Sequence, residues 1–286
     1  EFEGADKRRL LTFPRAAGIT LESCPLVERA CRRPSGDTAQ SRLCRPSVVT
    51  SRHDVPMGVI YLLRHAQAPA EAYGGPLAAA VVEEGLSALG REQARRAGAA
   101  LAARVDGFDL VISGDLARQR QTLSIAMESF VAGMGHRLDA RWNEYDIDAV
   151  LGGGGRAVKT TGRALQTMLD EALVRWIAAD SMVRQPLETY VEYQKRCTDA
   201  FESVRELAGP GKAALVVSSA GTIAQVVAQL WGPDDQNWIR MARTMLNASI
   251  TKLIVGRAGV SVVSVNEHAH LETATDTGQR PWMTFR

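Results

Sequence analysis

The stretch Val59-Ile60-Tyr61-Leu62-Leu63-Arg64-His65-Ala66-Gln67 decides the fold. Val59 to Leu63 is a continuous run of β-branched, aromatic and aliphatic residues, the pattern of a strand buried in a sheet. The run ends on Arg64 and His65, so the strand delivers both side chains to whatever lies beyond its carboxyl end. Arginine is a permanently charged fork of N–H donors that fits phosphate oxygens. Histidine is a nucleophile or general base whose ordinary pKa is near neutral. An arginine and a histidine placed together at a strand end point to chemistry on an anion.

Working outward, strands alternate with helices. Ser87 caps a predicted helix over about 88–103, with Leu89, Ala94, Ala97 and Leu101 on one face. A strand is expected at about 108–112 and a helix at about 116–131. Residues 141–158 read as a loop, flexible at its run of glycines, 152–155. Helices follow at about 160–180 and 188–208. In the second, Tyr190, Val191, Gln194, Thr198, Phe201, Val204 and Ala208 share helical spacing. Ala213 to Ser218 reads as a second buried strand, followed by a helix over about 221–231. A short helix runs from Asp234 or Asp235 to near Arg243. Two last strands, about 249–255 and 260–265, join at Gly256-Arg257-Ala258-Gly259 as a hairpin. The expectation is a three-layer α/β/α sandwich: a mostly parallel sheet covered on both faces, with an antiparallel edge.

Ligands of open α/β sheets bind at the carboxyl ends of strands. Arg64 and His65 stand there after the first strand, Ser113 to Arg118 after the second, and Ser218 to Thr222 after the later one. Three separated loops are therefore expected to converge on one anion.

These segments, in this order, resemble the histidine phosphatase (phosphoglycerate mutase-like) superfamily over most of 57–270. Arg64-His65-Ala66-Gln67 is similar to the family's nucleophile motif. Leu86 to Ala94 is similar to the helix start that follows it. Arg118-Gln119-Arg120-Gln121-Thr122 is similar to the segment bearing the second pocket arginine, with Arg118 in that position. Trp142 to Asp146 resembles the segment bearing the acid, with Glu144 in its place, although Asp146 and Asp148 are nearby alternatives. Asn247 to Thr251 resembles the late strand entry. The resemblance implies phosphomonoester hydrolysis through a phosphohistidine on His65, with Glu144 as proton donor and then base. Arg64, Arg118, Ser219 and Gln67 would bind the substrate phosphate. It implies no metal and no cofactor, and the partner would be a small phosphorylated substrate or a phosphoprotein. His268 and His270 resemble a late histidine-leucine segment; hydrogen bonding within the fold is the reading preferred for His270.

The resemblance breaks at Val217-Ser218-Ser219-Ala220-Gly221, where the family has a second histidine and this chain has Ser219. A serine hydroxyl can donate to a phosphate oxygen but carries no positive charge. The loss of one such preorganised group corresponds to roughly 10²–10³ in turnover. On that reasoning Ser219→His would raise turnover. Three readings stay open: a slower phosphatase, one in which His268 or a substrate group supplies the charge, and a pseudoenzyme that binds a phosphorylated ligand. A phosphoglycerate mutase is disfavoured, because Ala68-Pro69-Ala70-Glu71 lacks the polar residues usual after the nucleophile.

Composition bounds the rest. The 286 residues are 45% hydrophobic and 23% charged, with formal net charge +2. That balance favours neither nucleic acid nor a membrane surface. Cys24, Cys31, Cys44 and Cys197 have no zinc spacing and are too few for a disulfide framework, which suits free thiols and a cytoplasmic location. Residues 1–56 differ in character, with ten Lys+Arg against seven Asp+Glu, scattered prolines and no sustained period. They are read as a poorly ordered or cloning-derived extension, and 57–286 as the phosphatase-like domain.

Overall fold

The computed structural model describes residues 57–69, 85–131, 135–152, 163–179, 188–232, 235–274 and 278–285. The proposed extension 1–56, most of the loop 68–85 and residues 153–158 of the glycine-rich loop lie outside them.

The first strand, β1 (Gly58–Arg64), alternates between two cores. Ile60 and Leu62 enter one; Tyr61 and Leu63 enter the other. A side-chain period of two with both faces covered produces an unbroken apolar run. Helix α1 (Ala88–Ala102) begins at Ser87, whose Oγ accepts from Gly90 N, and buries Ala94, Ala97 and Leu101. Strand β2 (Leu110–Ser113) leads into α2 (Ala117–Met127). A two-residue strand β3 (Arg137–Leu138) follows, then a 3₁₀ turn (Ala140–Trp142) and the short α3 (Ile147–Val150). Next come α4 (Arg163–Ala178), α5 (Tyr190–Leu207), β4 (Ala213–Ser218), α6 (Ala220–Trp231) and α7 (Asp235–Thr244). Strands β5 (Ile250–Gly256) and β6 (Gly259–Glu267) and a 3₁₀ turn (Ala269–Leu271) complete the order.

The sheet order is β3-β2-β4-β1-β5-β6. β1, β2 and β3 run parallel to β4 or to its neighbour. β5 and β6 form the antiparallel edge. Helices α1 and α2 cover one face, and α4 to α7 cover the other, so the three-layer α/β/α expectation holds. Arg64 pairs with Ser218 in register. Ser113 pairs with Val217. The carboxyl ends of β1, β4 and β2 are thus neighbours with β4 in the middle. The predicted hairpin closes with Gly256 opposite Gly259, which takes φ +117°, a region open to glycine.

The structure departs from the sequence reading in three places. In α5 the buried stripe is Tyr190, Tyr193, Cys197, Ala200, Phe201 and Val204, while Val191 is 69% exposed. Adjacent helix positions point about 100° apart, so Tyr190 and Val191 cannot both face the core. Strand β3 is short and exposed and carries no apolar pattern to read. The 141–152 stretch is organised, because Asp139 and Asp146 cap its two short helical turns. Cys197 packs in the core, and burial pushes its thiol up to about 12, which keeps it neutral.

One buried contact stabilises the turn behind β1. Ala248 takes φ 58°, a left-handed conformation, and donates its N–H to His65 O at 3.3 Å. Its own carbonyl lies 2.9 Å from His270 Nε2. A carbonyl only accepts, so Nε2 of His270 carries a proton. Burial holds the His270 pKa below its ordinary value. The unfolded chain therefore binds a proton at a pH where the folded chain does not. The contribution of His270 to stability is present above about pH 6.5 and is lost as pH falls below it. The melting temperature is expected to fall as pH drops below about 6.5, and His270→Gln, which keeps a donor for Ala248, should flatten that fall. An unchanged pH dependence in the variant would contradict this.

Candidate active site

His65 lies just past β1 and is 2% exposed. Its backbone N–H donates to Ser218 O at 2.8 Å, which fastens the end of β1 to the end of β4. Its Nδ1 lies 2.8 Å from Ala66 O. Because that oxygen can only accept, Nδ1 carries a proton, and in the neutral ring the lone pair is then on Nε2. The imidazole is therefore held in the tautomer that a nucleophile at Nε2 requires.

The residues after His65 are fixed by α1 and α2. Ala66 N donates to Thr122 Oγ1 at 2.9 Å, and that hydroxyl donates to Arg118 O at 2.7 Å. This bond ties the loop after His65 to the first turn of α2, which carries Arg118. Gln67 meets one stripe of α1. Its amide oxygen accepts from Ser87 Oγ at 2.7 Å and its N–H donates to Gln93 Oε1 at 2.8 Å. Gly90 lies between; a Cβ there would come within 2.0 Å of Gln67 O. Ser87, Gly90 and Gln93 recur every three residues on one helix face, which gives the Leu86 to Ala94 segment its physical role. Gln67, expected to bind phosphate, thus has its side-chain oxygen committed to Ser87.

Arg64 is 2% exposed. Its guanidinium donates to Met245 O through Nη1 and to Phe285 O through Nη2. The C-terminal segment therefore reaches the strand end, a part that the sequence reading did not give it. Gln93 holds the same segment, donating to Trp282 O and Thr284 Oγ1, both at 2.8 Å. Arg96 lies 3.6 Å over the Trp282 ring.

Glu144 lies at the N-terminus of α6. Its Oε2 accepts from Gly221 N at 2.9 Å. A Cβ on Gly221 would stand 2.3 Å from Glu144 Oε1, so glycine there makes room for the carboxylate. Asp146, the nearby alternative, caps α3 through Ala149 N. The loop bearing Glu144 is held from α5. Arg196 pairs with Glu188 at 2.5 and 2.8 Å and donates to Arg141 O at 2.7 Å and Asn143 O at 2.9 Å. Thr222 Oγ1 also donates to Asn143 O, at 2.9 Å.

Ser219 is the N-cap residue of α6, fully buried, yet its side chain does not cap that helix. Its Oγ accepts from Gln119 Nε2 at 2.9 Å. His268 faces its own segment: Nδ1 lies 2.5 Å from Asn266 O and Nε2 3.3 Å from Glu272. The structure therefore brings His65, Arg118, Ser219 and Glu144 to neighbouring strand ends and helix starts, through bonds by Thr122, Gln119 and Gly221. Among the described residues no three His, Cys, Asp or Glu side chains gather as a metal ion would need. Among the same residues no helix is long and apolar enough to cross a membrane.

Residues 60–268 match the family model described as histidine phosphatase superfamily (branch 1), and the chain belongs to that family. Its fold is similar to that of a solved structure described as mycobacterial hydrolase 1. The two are 25% identical with TM-score 0.54, over 74% of this chain and 100% of that one. It is also similar to a mycobacterial glucosyl-3-phosphoglycerate phosphatase, at 24% identity and TM-score 0.54 over 74% and 100%. That enzyme has also been solved with VO3 and with inorganic phosphate. A phosphoglycerate mutase from Bacillus anthracis str. Sterne shares the fold at 18% identity and TM-score 0.50, over 76% and 96%. None of the curated proteins matches the sequence.

Sequence reasoning missed Gln93, Gln119, Thr122 and Arg196. Arg196→Met keeps the aliphatic stem but removes two bonds to loop carbonyls and leaves Glu188 unpaired. It should destabilise the fold by about 1–3 kcal/mol in denaturant titration, given the cost of part-buried groups left without partners. A loss within error of zero would mean that the loop holds itself.

Proposed function

We propose that the chain is a metal-independent phosphatase that hydrolyses phosphomonoesters through His65. The observation that carries the reading is the His65 tautomer, set by Ala66 O at 2.8 Å, on the end of a strand flanked by two other strand ends. Membership of the histidine phosphatase superfamily and the phosphatase named among the structural neighbours support the same reaction class. The substrate is a small phosphorylated molecule or a phosphoprotein.

In this mechanism His65 Nε2 attacks phosphorus in line and the ester P–O bond breaks. Glu144 gives the leaving oxygen a proton, and the alcohol departs. Water then attacks the phosphohistidine; Glu144, now a carboxylate, takes its proton and the P–N bond breaks. The sum is ester plus water to alcohol plus phosphate, with His65 and Glu144 restored. Arg64 and Arg118 balance the charge of the phosphoryl oxygens throughout, the largest kind of contribution in such reactions. Ser219 adds a neutral donor where an imidazolium would add charge, which favours slow turnover. The same substitution favours a second reading, a phosphate-binding protein with little chemistry.

Hydrolysis of an aryl phosphate with chelator present separates the two. The phosphatase reading expects activity that His65→Ala abolishes; activity that survives in the variant, or none in the wild type, overturns it. Glu144→Gln should cost roughly 10²–10⁴-fold with alkyl esters and much less with an aryl ester, whose leaving oxygen needs little proton transfer. Gly221→Ala, which pushes on the Glu144 carboxylate, should show the same leaving-group dependence. Equal losses on all esters would remove Glu144 from the proton-transfer role.

A further inference from the structure

Gln119 follows Arg118 on α2 and is fully buried. Its Nε2 stands 3.1 Å from Trp142 O and 2.9 Å from Ser219 Oγ. A main-chain carbonyl can only accept, so the nitrogen of the amide, and not its oxygen, must face Trp142. Reversing the amide would set oxygen against oxygen. The same NH₂ group then spends its second hydrogen on Ser219 Oγ. Ser218 Oγ donates to Trp142 O at 2.6 Å and takes up the carbonyl's other lone pair. The amide oxygen is left without a hydrogen-bond partner among the described residues. It packs where a side chain on Gly114 would stand, within 2.0 Å of a Cβ there.

This arrangement fixes the direction of the Ser219 hydroxyl. Its oxygen is an acceptor toward Gln119, and Trp142 O is already doubly occupied. The Ser219 oxygen accepts nothing from the N–H groups of the helix that Ser219 begins. The helix amide Gly221 N donates to Glu144 instead, so it does not compete with Gln119 for the Ser219 oxygen. Among the described residues no acceptor takes the Ser219 proton, which remains to be donated, at a buried strand end beside His65. A buried hydroxyl proton with no acceptor costs about 1–3 kcal/mol, which an anionic oxygen at that place would recover.

We propose that Gln119 is a positioning residue that holds the Ser219 hydroxyl as a dedicated donor to the substrate phosphate. The proposal rests on the phosphatase reading above. It also revises the expectation that Ser219→His alone would raise turnover. Ser219 and the Gln119 amide already fill that space, so an imidazole has to displace the amide, and the gain requires both positions to change.

The test uses the full chain, with inorganic phosphate as the probe in calorimetry and an aryl phosphate for turnover. Ser219→Ala should weaken phosphate binding about tenfold, the worth of one hydrogen bond to a charged group. Gln119→Met, which keeps volume and removes the amide, should weaken it severalfold, although Ser219 is intact. The double variant should bind no more weakly than Ser219→Ala, because Gln119 acts through Ser219. Gln119→Glu, which replaces the donor by an acceptor and turns the hydroxyl round, should lose at least as much as Ser219→Ala. For turnover, Ser219→His should fall below wild type, and Gln119→Ala/Ser219→His should exceed Ser219→His. Melting temperatures check that each variant folds. Wild-type phosphate affinity in Gln119→Met, or losses that multiply in the double variant, would overturn the proposal while His65-dependent hydrolysis left the phosphatase reading standing. A wild type that neither binds phosphate nor hydrolyses the ester would overturn both.

Discussion

The site depends on where β4 lies. This strand is paired on one side with β1 and on the other with β2, all parallel, in a register that sets Arg64 beside Ser218 and Ser113 beside Val217. Its residues feed both cores, Ala214 and Val216 on one face and Leu215 and Val217 on the other. A slip of one residue would send each set to the opposite face and move Ser219 away from His65. Buried Leu215, Val216 and Val217 contribute about 1.5–3 kcal/mol each, so the packing of the strands fixes the position of His65 and Ser219.

Over that frame the polar groups are placed by main-chain carbonyls more than by one another. His65 is set by Ala66 O, and Arg64 by Met245 O and Phe285 O. Ser218 and Gln119 share Trp142 O, and Arg196 and Thr222 share Asn143 O. A carbonyl fixes both the position of a donor and the direction of its proton, because it cannot donate in return. The proposed nucleophile and the Ser219 hydroxyl are both oriented by this device, directly in one case and through the Gln119 amide in the other. The glycines complete it where backbone or carboxylate must come close, at Gly90 under Gln67 and at Gly221 under Glu144.

The strands were legible because burial on both faces writes itself as an apolar run, as in β1 and β4. Helix α1 was legible from Ser87 and its apolar spacing. The exposed pair Arg137-Leu138 carries no such pattern. At the site, Arg64 and His65 were legible from their place after a strand, while Glu144 and Arg118 needed the family resemblance. Gln119 and Ser219 are 100 residues apart, and Arg196 is 53 residues from the carbonyl of Asn143 that it holds. No local period encodes such pairings. A glutamine next to Arg118, the candidate phosphate-binding arginine, was the available signal, and its partner becomes visible only once β4 is placed beside β2.

The most direct measurement is the chemical identity of the covalent intermediate. A single turnover with a radiolabelled phosphomonoester, quenched in alkali and digested, should give an acid-labile, base-stable phosphoryl group on the peptide containing His65, on Nε2 by phosphorus NMR. A label on Ser218 or Ser219, stable to acid, or turnover with no label at all, would contradict His65 as the nucleophile.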